Sequence, residues 1–442
     1  MKKSLFALAA IGAVAGTAQA QSSVTVYGIM DLGYIGSNST TANNAGTATG
    51  STLTKSTQSQ FSDSAESTSR LGFKGSEDLG GGLSAFFTVE TALTPNTTNA
   101  IQTNLTTANR QSFLGLKKAG VGQFAFGTQY TIIHNAVAAT DPGMQNNMMG
   151  NVIYDKVAGS SVATNGSYLA GGTGTTTVAT WQYSGQQNNT SYSVRANNML
   201  TLSSDTFSGF QGNAFVQIDN GNTNSATTAN GTSGYSGGTT NNSAFGLGAN
   251  YTWQKLLVTA NYQQFTNKAA YTISGNSYTS GTPYQGGFGG SSLGGANDKD
   301  NQQYYAATYD FGILKAYLQY VNRKTLDINN PSNYVARTAQ QIGVRSFVTP
   351  TVEAWASAGM GRLTVSNAAT GSNSFVYNTT GYGSNVANFG GFQLGSNYWL
   401  SKRTNLYAIY GQQHTSNQSW TQNGNPTSYN DNNYAVGVRH TF

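Results

Sequence analysis

The side chains that could do chemistry are few in this chain, and most of them do not converge. Its three histidines, His134, His414 and His440, are far apart and match no metal-ligand spacing, such as two histidines four residues apart on a helix. No serine, histidine and acid group themselves as a nucleophile with its base, and the chain has no cysteine at all. The glycine run from Gly286 to Gly295 has no strand-loop-helix context for binding phosphate and reads as a flexible external loop. Arg70 is different. In Arg70-Leu71-Gly72-Phe73-Lys74 the polar and apolar residues alternate, so in a strand Arg70 and Lys74 share the face opposite Leu71 and Phe73. The chemistry such a residue can do is electrostatic: a fixed positive charge, ionised throughout the working pH range.

The elements that must position it are strands. Only 9% of the 442 residues are charged, against roughly 25% in ordinary soluble domains, yet 12% are aromatic, with 26 Tyr and 20 Phe. Disordered chains are poor in aromatics, so these side chains need a surface to cover. With no cysteine for disulfides, a chain of 54 glycines must be held by backbone pairing. Period-two alternation recurs: Phe245, Leu247, Ala249, Tyr251 and Trp253 form one apolar face with Gly246, Gly248 and Asn250 between them. The same reading puts Leu247 and Val258 towards lipid and Gly248 and Thr259 towards water.

Sixteen strands are expected, over 23–36, 68–75, 83–92, 109–117, 122–131, 191–203, 209–219, 243–253, 256–266, 302–310, 313–324, 337–347, 351–363, 388–400, 404–413 and 433–442. Long polar connections (37–67, 93–108, 132–190, 220–242, 267–301, 325–336, 364–387, 414–432) alternate with short turns. No stretch supplies the roughly 20 apolar residues of a membrane helix. A strand in lipid must pair every backbone group, so the pattern calls for a closed transmembrane antiparallel β-barrel, with short periplasmic turns and long external loops. Aromatics near strand ends, among them Tyr27, Trp253, Tyr262, Tyr398 and Tyr410, fit girdles at the two water boundaries.

Residues 1–20 have two lysines, an apolar run and the ending Ala18-Gln19-Ala20, the pattern of a removed signal peptide, leaving 21–442 as one barrel domain. The formal charge of +6 falls to +4 without Lys2 and Lys3. No basic cluster suggests a nucleic-acid partner, and nothing calls for a metal or cofactor.

Three stretches resemble the trimeric general porins of Gram-negative bacteria: Val24 to Asp31; Ser69 to Glu90, with Arg70-Leu71-Gly72-Phe73-Lys74-Gly75 and the turn Gly80-Gly81-Gly82; and Asn109-Arg110-Gln111-Ser112-Phe113-Leu114-Gly115-Leu116 followed by Gly122 to Tyr130. A terminal aromatic, Phe442, completes the likeness and corresponds to the signal read by the barrel-assembly machinery. The resemblance implies sixteen strands, a homotrimer embedded among outer-membrane lipid and lipopolysaccharide, and a third loop, 132–190, folded into the lumen. It implies no enzyme activity, but a water-filled channel passing small hydrophilic solutes and ions by passive diffusion. By the same resemblance the pore constriction has a basic wall, Arg70, Arg110 and Arg195, facing a loop acid, Asp141 in Thr140-Asp141-Pro142-Gly143. Lys74, Asp31, Glu90 and Asp155 are weaker candidates for the lumen wall. Three bases against one well-placed acid imply a weak anion preference. A substrate-specific channel would show an aromatic slide along the lumen, and none is evident. An adhesin-type barrel would not conduct in a planar bilayer.

Overall fold

The computed structural model describes residues 23–442, apart from 44–51, 98–108, 156–185, 222–227, 231–233, 238–239, 269–270, 275–296, 329–330, 332–333, 367–383, 417–420 and 423–424. The signal segment 1–20, Lys156 and the run Gly286 to Gly295 lie outside the described residues.

One antiparallel sheet closes on itself. Its strands are β1 (Ser23–Asn43), β2 (Thr52–Asp63), β3 (Arg70–Gly80), β4 (Leu83–Ala92), β5 (Asn109–Lys118), β6 (Gly122–Tyr130), β7 (Ser193–Ser204), β8 (Phe210–Gly221) and β9 (Thr240–Trp253). The circuit continues through β10 (Leu256–Lys268), β11 (Asn297–Asp310), β12 (Lys315–Asp327), β13 (Tyr334–Phe347), β14 (Val352–Ser366), β15 (Ser384–Trp399), β16 (Thr404–Ser416) and β17 (Asn425–Thr441). Closure is made by β1 against β17, from Ile29↔Thr441 to Asn43↔Thr427. The terminal residue finishes the ring, because the Gly28 amide donates to the Phe442 carbonyl at 3.1 Å and the Phe442 amide to the Gly28 carbonyl at 3.2 Å.

The barrel has sixteen staves and one extra strand. On a single edge of β1, β3 pairs with the first part (Ser23↔Ser76 to Ile29↔Arg70) and β2 with the rest (Leu32↔Asp63 to Asn43↔Thr52). The span 37–67, expected to be a loop, is therefore largely a hairpin. Residues 64–69 form the break, which is organised by Asp31. Its carboxylate accepts the Ser67 amide at 2.6 Å and the Tyr407 hydroxyl at 2.7 Å, and its backbone carbonyl accepts the Ser64 amide. Several other strands run past their expected ends into the polar connections, β9 starting at Thr240 and β11 at Asn297.

Alternation sorts the two faces. On β10, Thr259, Asn261, Gln263, Phe265 and Asn267 are buried inside the barrel, whereas Val258 points out. Leu247 is 61% exposed on the outer wall, as the spacing predicts. Gly248 lies inside, where a side chain would run into the Asn261 amide. Arginine at Leu247 should therefore cost about 2–4 kcal/mol of barrel stability near the midplane, but at Ser243, nearer the loops on the same outer face, no more than about 1 kcal/mol. Unfolding titrations of the two variants check this depth dependence, and equal losses would contradict it.

The third loop enters the barrel. It opens on α1 (Ile132–Thr140), where the Thr131 hydroxyl caps the helix by accepting the His134 amide at 3.2 Å. Ile132, Ile133, Ala136 and Val137 form the apolar stripe of this helix, and Asp141-Pro142 ends it. The stripe packs with Val152, Ile153, Tyr192, Phe265, Tyr304 and Val321 in a core lying between loop and inner wall. The loop backbone then presses directly onto β15 and β16. At Gly150, whose φ is +94°, a Cβ would collide with the Phe392 carbonyl, and at Gly411 with that of Met149.

Candidate functional site

Arg70 opens β3 at the break below β2, and its Nε donates to the Thr68 carbonyl at 2.9 Å. Glu90, on the next strand, faces inward and is buried. Its Oε1 lies 3.9 Å from Arg70 Nη1 and 2.6 Å from Arg110 Nε, while its Oε2 accepts the Tyr27 hydroxyl at 3.1 Å.

Arg110 reaches Glu90 through a β-bulge. Plain alternation along β5 would put Arg110 on the same face as Leu114, which is 63% exposed on the outside. Asn109 pairs with Thr91 and Gln111 with Glu90, so Arg110 is the extra residue and turns inward. Its Nη2 donates to the Tyr130 hydroxyl at 2.7 Å. A second register shift, between Gly127 and Gln129 of β6, brings Tyr130 opposite Arg195 of β7. The Arg195 guanidinium sits 5.7 Å from the Tyr130 ring centre, and its Nη1 has no hydrogen-bond partner among the described residues. The ring of His134, on α1, packs at 4.3 Å on the other side of the ladder, against Tyr130.

The structure thus brings Arg70, Arg110 and Arg195 together with Glu90 and joins them to the loop through Tyr130 and His134. Glu90 was a weaker candidate in the sequence, yet it is the carboxylate that contacts the bases. Lys74 faces the lumen beside the Tyr27 ring, 5.3 Å from its centre.

Asp141 is placed elsewhere. It is 2% exposed and forms no ion pair with the three arginines. Its Oδ2 accepts the Gln145 amide at 2.6 Å, and its Oδ1 accepts Asn151 Nδ2 at 2.9 Å and Gln341 Nε2 at 3.3 Å. Burial holds this carboxyl above the usual carboxylate range, against the opposing pull of the Gln145 and Asn151 donors and of Arg345. Asp155 is likewise buried, 2.8 Å from Arg337 Nη2.

Three wall arginines that the sequence reading passed over anchor the loop. Arg323 pairs with Asp300 at 2.6 Å and donates to the Asn189 carbonyl, Arg337 holds Asp155, the Val152 carbonyl and the Ser191 hydroxyl, and Arg345 pairs with Glu353 and donates to the Pro142 carbonyl. Gln393 adds two bonds, to the carbonyls of Met148 and Met149, at 2.7 and 2.6 Å. The available signal was parity, since Tyr317, Gln319 and Val321 place Arg323 on the inner face of β12. Each of these three arginines has its own carboxylate, whereas at the ladder Arg70 and Arg110 pair with a single one, Glu90, and Arg195 has no ion pair among the described residues.

A closed sheet of sixteen staves with a loop inside is matched by the family model described as Gram-negative porin, which covers residues 7–418. The chain belongs to the Gram-negative porin family. An outer membrane porin protein of Bordetella pertussis is 34% identical over 169 residues, covering 36% of this chain and 43% of that relative. Outer membrane porin protein 32 of Delftia acidovorans is 46% identical over 90 residues, 20% of this chain and 22% of that protein. The aligned stretches thus span less than half the length of these curated relatives. Among solved structures, the anion-selective porin from Comamonas acidovorans superposes with a TM-score of 0.60 at 18% identity, covering 96% of this chain and all of that one. The trimer form of OmpT from Vibrio cholerae gives 0.53 at 15% identity, covering 95% and 99%. These two likenesses establish the fold. This porin is an outer-membrane protein.

Proposed function

We propose that this porin is a general diffusion channel, without enzyme activity, passing small hydrophilic solutes and ions with a weak preference for anions. The observation that carries the reading is the ladder itself, in which Arg70 and Arg110 pair with one carboxylate, Glu90, and Arg195 stands beside them over Tyr130, next to the loop that narrows the lumen. Anions crossing there meet an excess of two fixed positive charges within a water-lined, low-dielectric wall, while screening at physiological salt over about 8 Å mutes charges further away. A structural neighbour described as an anion-selective porin supports the same reading. The chain is further proposed to lose residues 1–20 on export, to enter the membrane through a C-terminal strand ending in Phe442, and to assemble as a homotrimer, as a neighbour solved in trimer form suggests.

In this reading Glu90 tempers the ladder and Asp141 acts on it only at a distance. Glu90→Gln should therefore increase anion preference more than Asp141→Asn, because glutamine still accepts from Arg110 while removing the charge nearest the bases. Reversal potentials in a salt gradient measure both. A larger shift from Asp141→Asn would move the controlling acid back to the loop.

A further inference from the structure

Arg70 is held less firmly than Arg110. Its Nη1 stands 3.9 Å from the Glu90 carboxylate, beyond hydrogen-bond reach, whereas Arg110 Nε lies 2.6 Å from the same oxygen. Among the described residues the Arg70 side chain makes one hydrogen bond, from Nε to the Thr68 carbonyl at 2.9 Å. Where the guanidinium stands therefore depends on where Thr68 stands.

Thr68 belongs to the break at 64–69, which two parts of the molecule hold. From the wall, the Asp31 carboxylate accepts the Ser67 amide, and the Asp31 amide donates to the Ser69 hydroxyl at 3.1 Å. From the lumen, the third loop holds it through Asn147. The Asn147 Nδ2 donates to the Ser64 carbonyl at 2.6 Å and to the Thr68 hydroxyl at 3.1 Å, and the Asn147 backbone amide donates to the Ala65 carbonyl at 2.9 Å. A carbonyl only accepts, so the orientation of the side-chain amide is fixed. Asn147 Oδ1 is buried without a hydrogen-bond partner among the described residues, so this side chain keeps its donors on the break while leaving its oxygen bare.

The stretch of loop that carries Asn147 is itself a firm reference. Asn146 and Gln393 of β15 exchange hydrogen bonds at 3.0 and 3.2 Å, and the Met149 amide donates to Asn433 of β17 at 3.2 Å. Met148 packs with Ala65 of the break in a small core that includes Trp355 and Tyr407. A continuous path runs from the far wall through the loop to Thr68 and Arg70.

We propose that Asn147 is a positioning residue for Arg70, a tie by which the third loop sets where that charge stands in the lumen. The proposal rests on the reading of the arginine ladder as the source of anion preference. Without the Asn147 donors the loop side of the break is released, Thr68 moves with it, and the guanidinium spreads over more positions. A charge so spread stabilises a passing anion less than one held in place at the narrowing. In this way the loop governs the ladder without lending it a charge, since Asp141 is taken by Gln145 and Asn151.

The test is a double-mutant cycle on the assembled porin in planar bilayers, with the reversal potential in a potassium chloride gradient as its readout and N147L, R70Q and N147L/R70Q as its variants. N147L should lower the chloride-to-potassium permeability ratio towards that of R70Q. The double variant should match R70Q alone, because the base that Asn147 positions is gone. T68V, which removes the hydroxyl partner and keeps the carbonyl, should shift the ratio the same way by less, and if N147L does not assemble, T68V with and without R70Q carries the same cycle. A shift of equal size in the presence and absence of Arg70 would overturn the proposal, by showing that Asn147 acts through the shape of the loop. A shift in R70Q with none in N147L sinks the tie and leaves the ladder standing, whereas no shift in R70Q sinks the ladder reading and the tie together.

Discussion

With glutamate in place of both Arg70 and Arg110, the reversal potential in a salt gradient should change sign, from anion-favouring to cation-favouring. Each exchange removes one positive charge and adds one negative charge at the lumen wall, where among the described residues Glu90 is the carboxylate that pairs with the two bases. Arg195 remains as the one base of the ladder. The new carboxylate at position 110 would lie close to Glu90, so two like charges would then face the lumen where a base and an acid stood. Because Arg110 is buried and bonded to Tyr130, R70Q/R110Q serves as the gentler variant, and it should give an intermediate potential. An unchanged potential in both double variants would remove these arginines from the constriction.

Arg337→Ala should destabilise the porin by about 3–5 kcal/mol, because it strands the buried Asp155 carboxylate and frees two loop groups at once. Arg337 is fully buried, with its guanidinium 3.9 Å from the Phe389 ring centre as well as on Asp155, the Val152 carbonyl and the Ser191 hydroxyl. The loss falls on the junction of loop and wall rather than on the strand ladders. Unfolding by denaturant should therefore show the reduced stability, while single-channel records should show new flicker as the loop loosens. R337L/D155L removes both charges together and should recover much of the loss, as replacing a whole buried pair commonly does. A quiet, fully stable Arg337→Ala protein would mean that the apolar core around α1 holds the loop unaided.

How far the sequence could be read depends on where water lies. Strand alternation is legible wherever one face meets lipid, and for that reason Leu247 and Val258 stand on the outer wall as expected. Above the apolar belt both faces are wet. The hairpin of β1 with β2 is there built of Thr52-Leu53-Thr54-Lys55-Ser56-Thr57-Gln58-Ser59-Gln60, which carries no apolar alternation, so its pairing could not be seen as strand. The helix α1 escaped for another reason: its stripe Ile132, Ile133, Ala136, Val137 covers barely two turns inside a long polar connection.

At the site, alternation alone suffices for Arg70 but gives the wrong face for Arg110, because a bulge adds one residue that no composition rule announces. The family likeness supplied what periodicity could not, gathering Arg110 and Arg195 with Arg70. It placed the opposing acid on the loop at Asp141, whereas the carboxylate in contact with the bases is Glu90 on the wall. Asp31 shows the same limit. Its inward face was readable, but its work in organising the break between β2 and β3 depends on Ser67 and Tyr407, which meet it only in the closed barrel.

The most direct test is a planar-bilayer recording of the purified, unmodified porin in asymmetric potassium chloride at neutral pH. Stepwise, ohmic conductance with a reversal potential displaced towards that of chloride is the predicted result. Insertion without conductance, or a potential displaced towards potassium, would contradict a water-filled channel governed by the Arg70, Arg110 and Arg195 ladder.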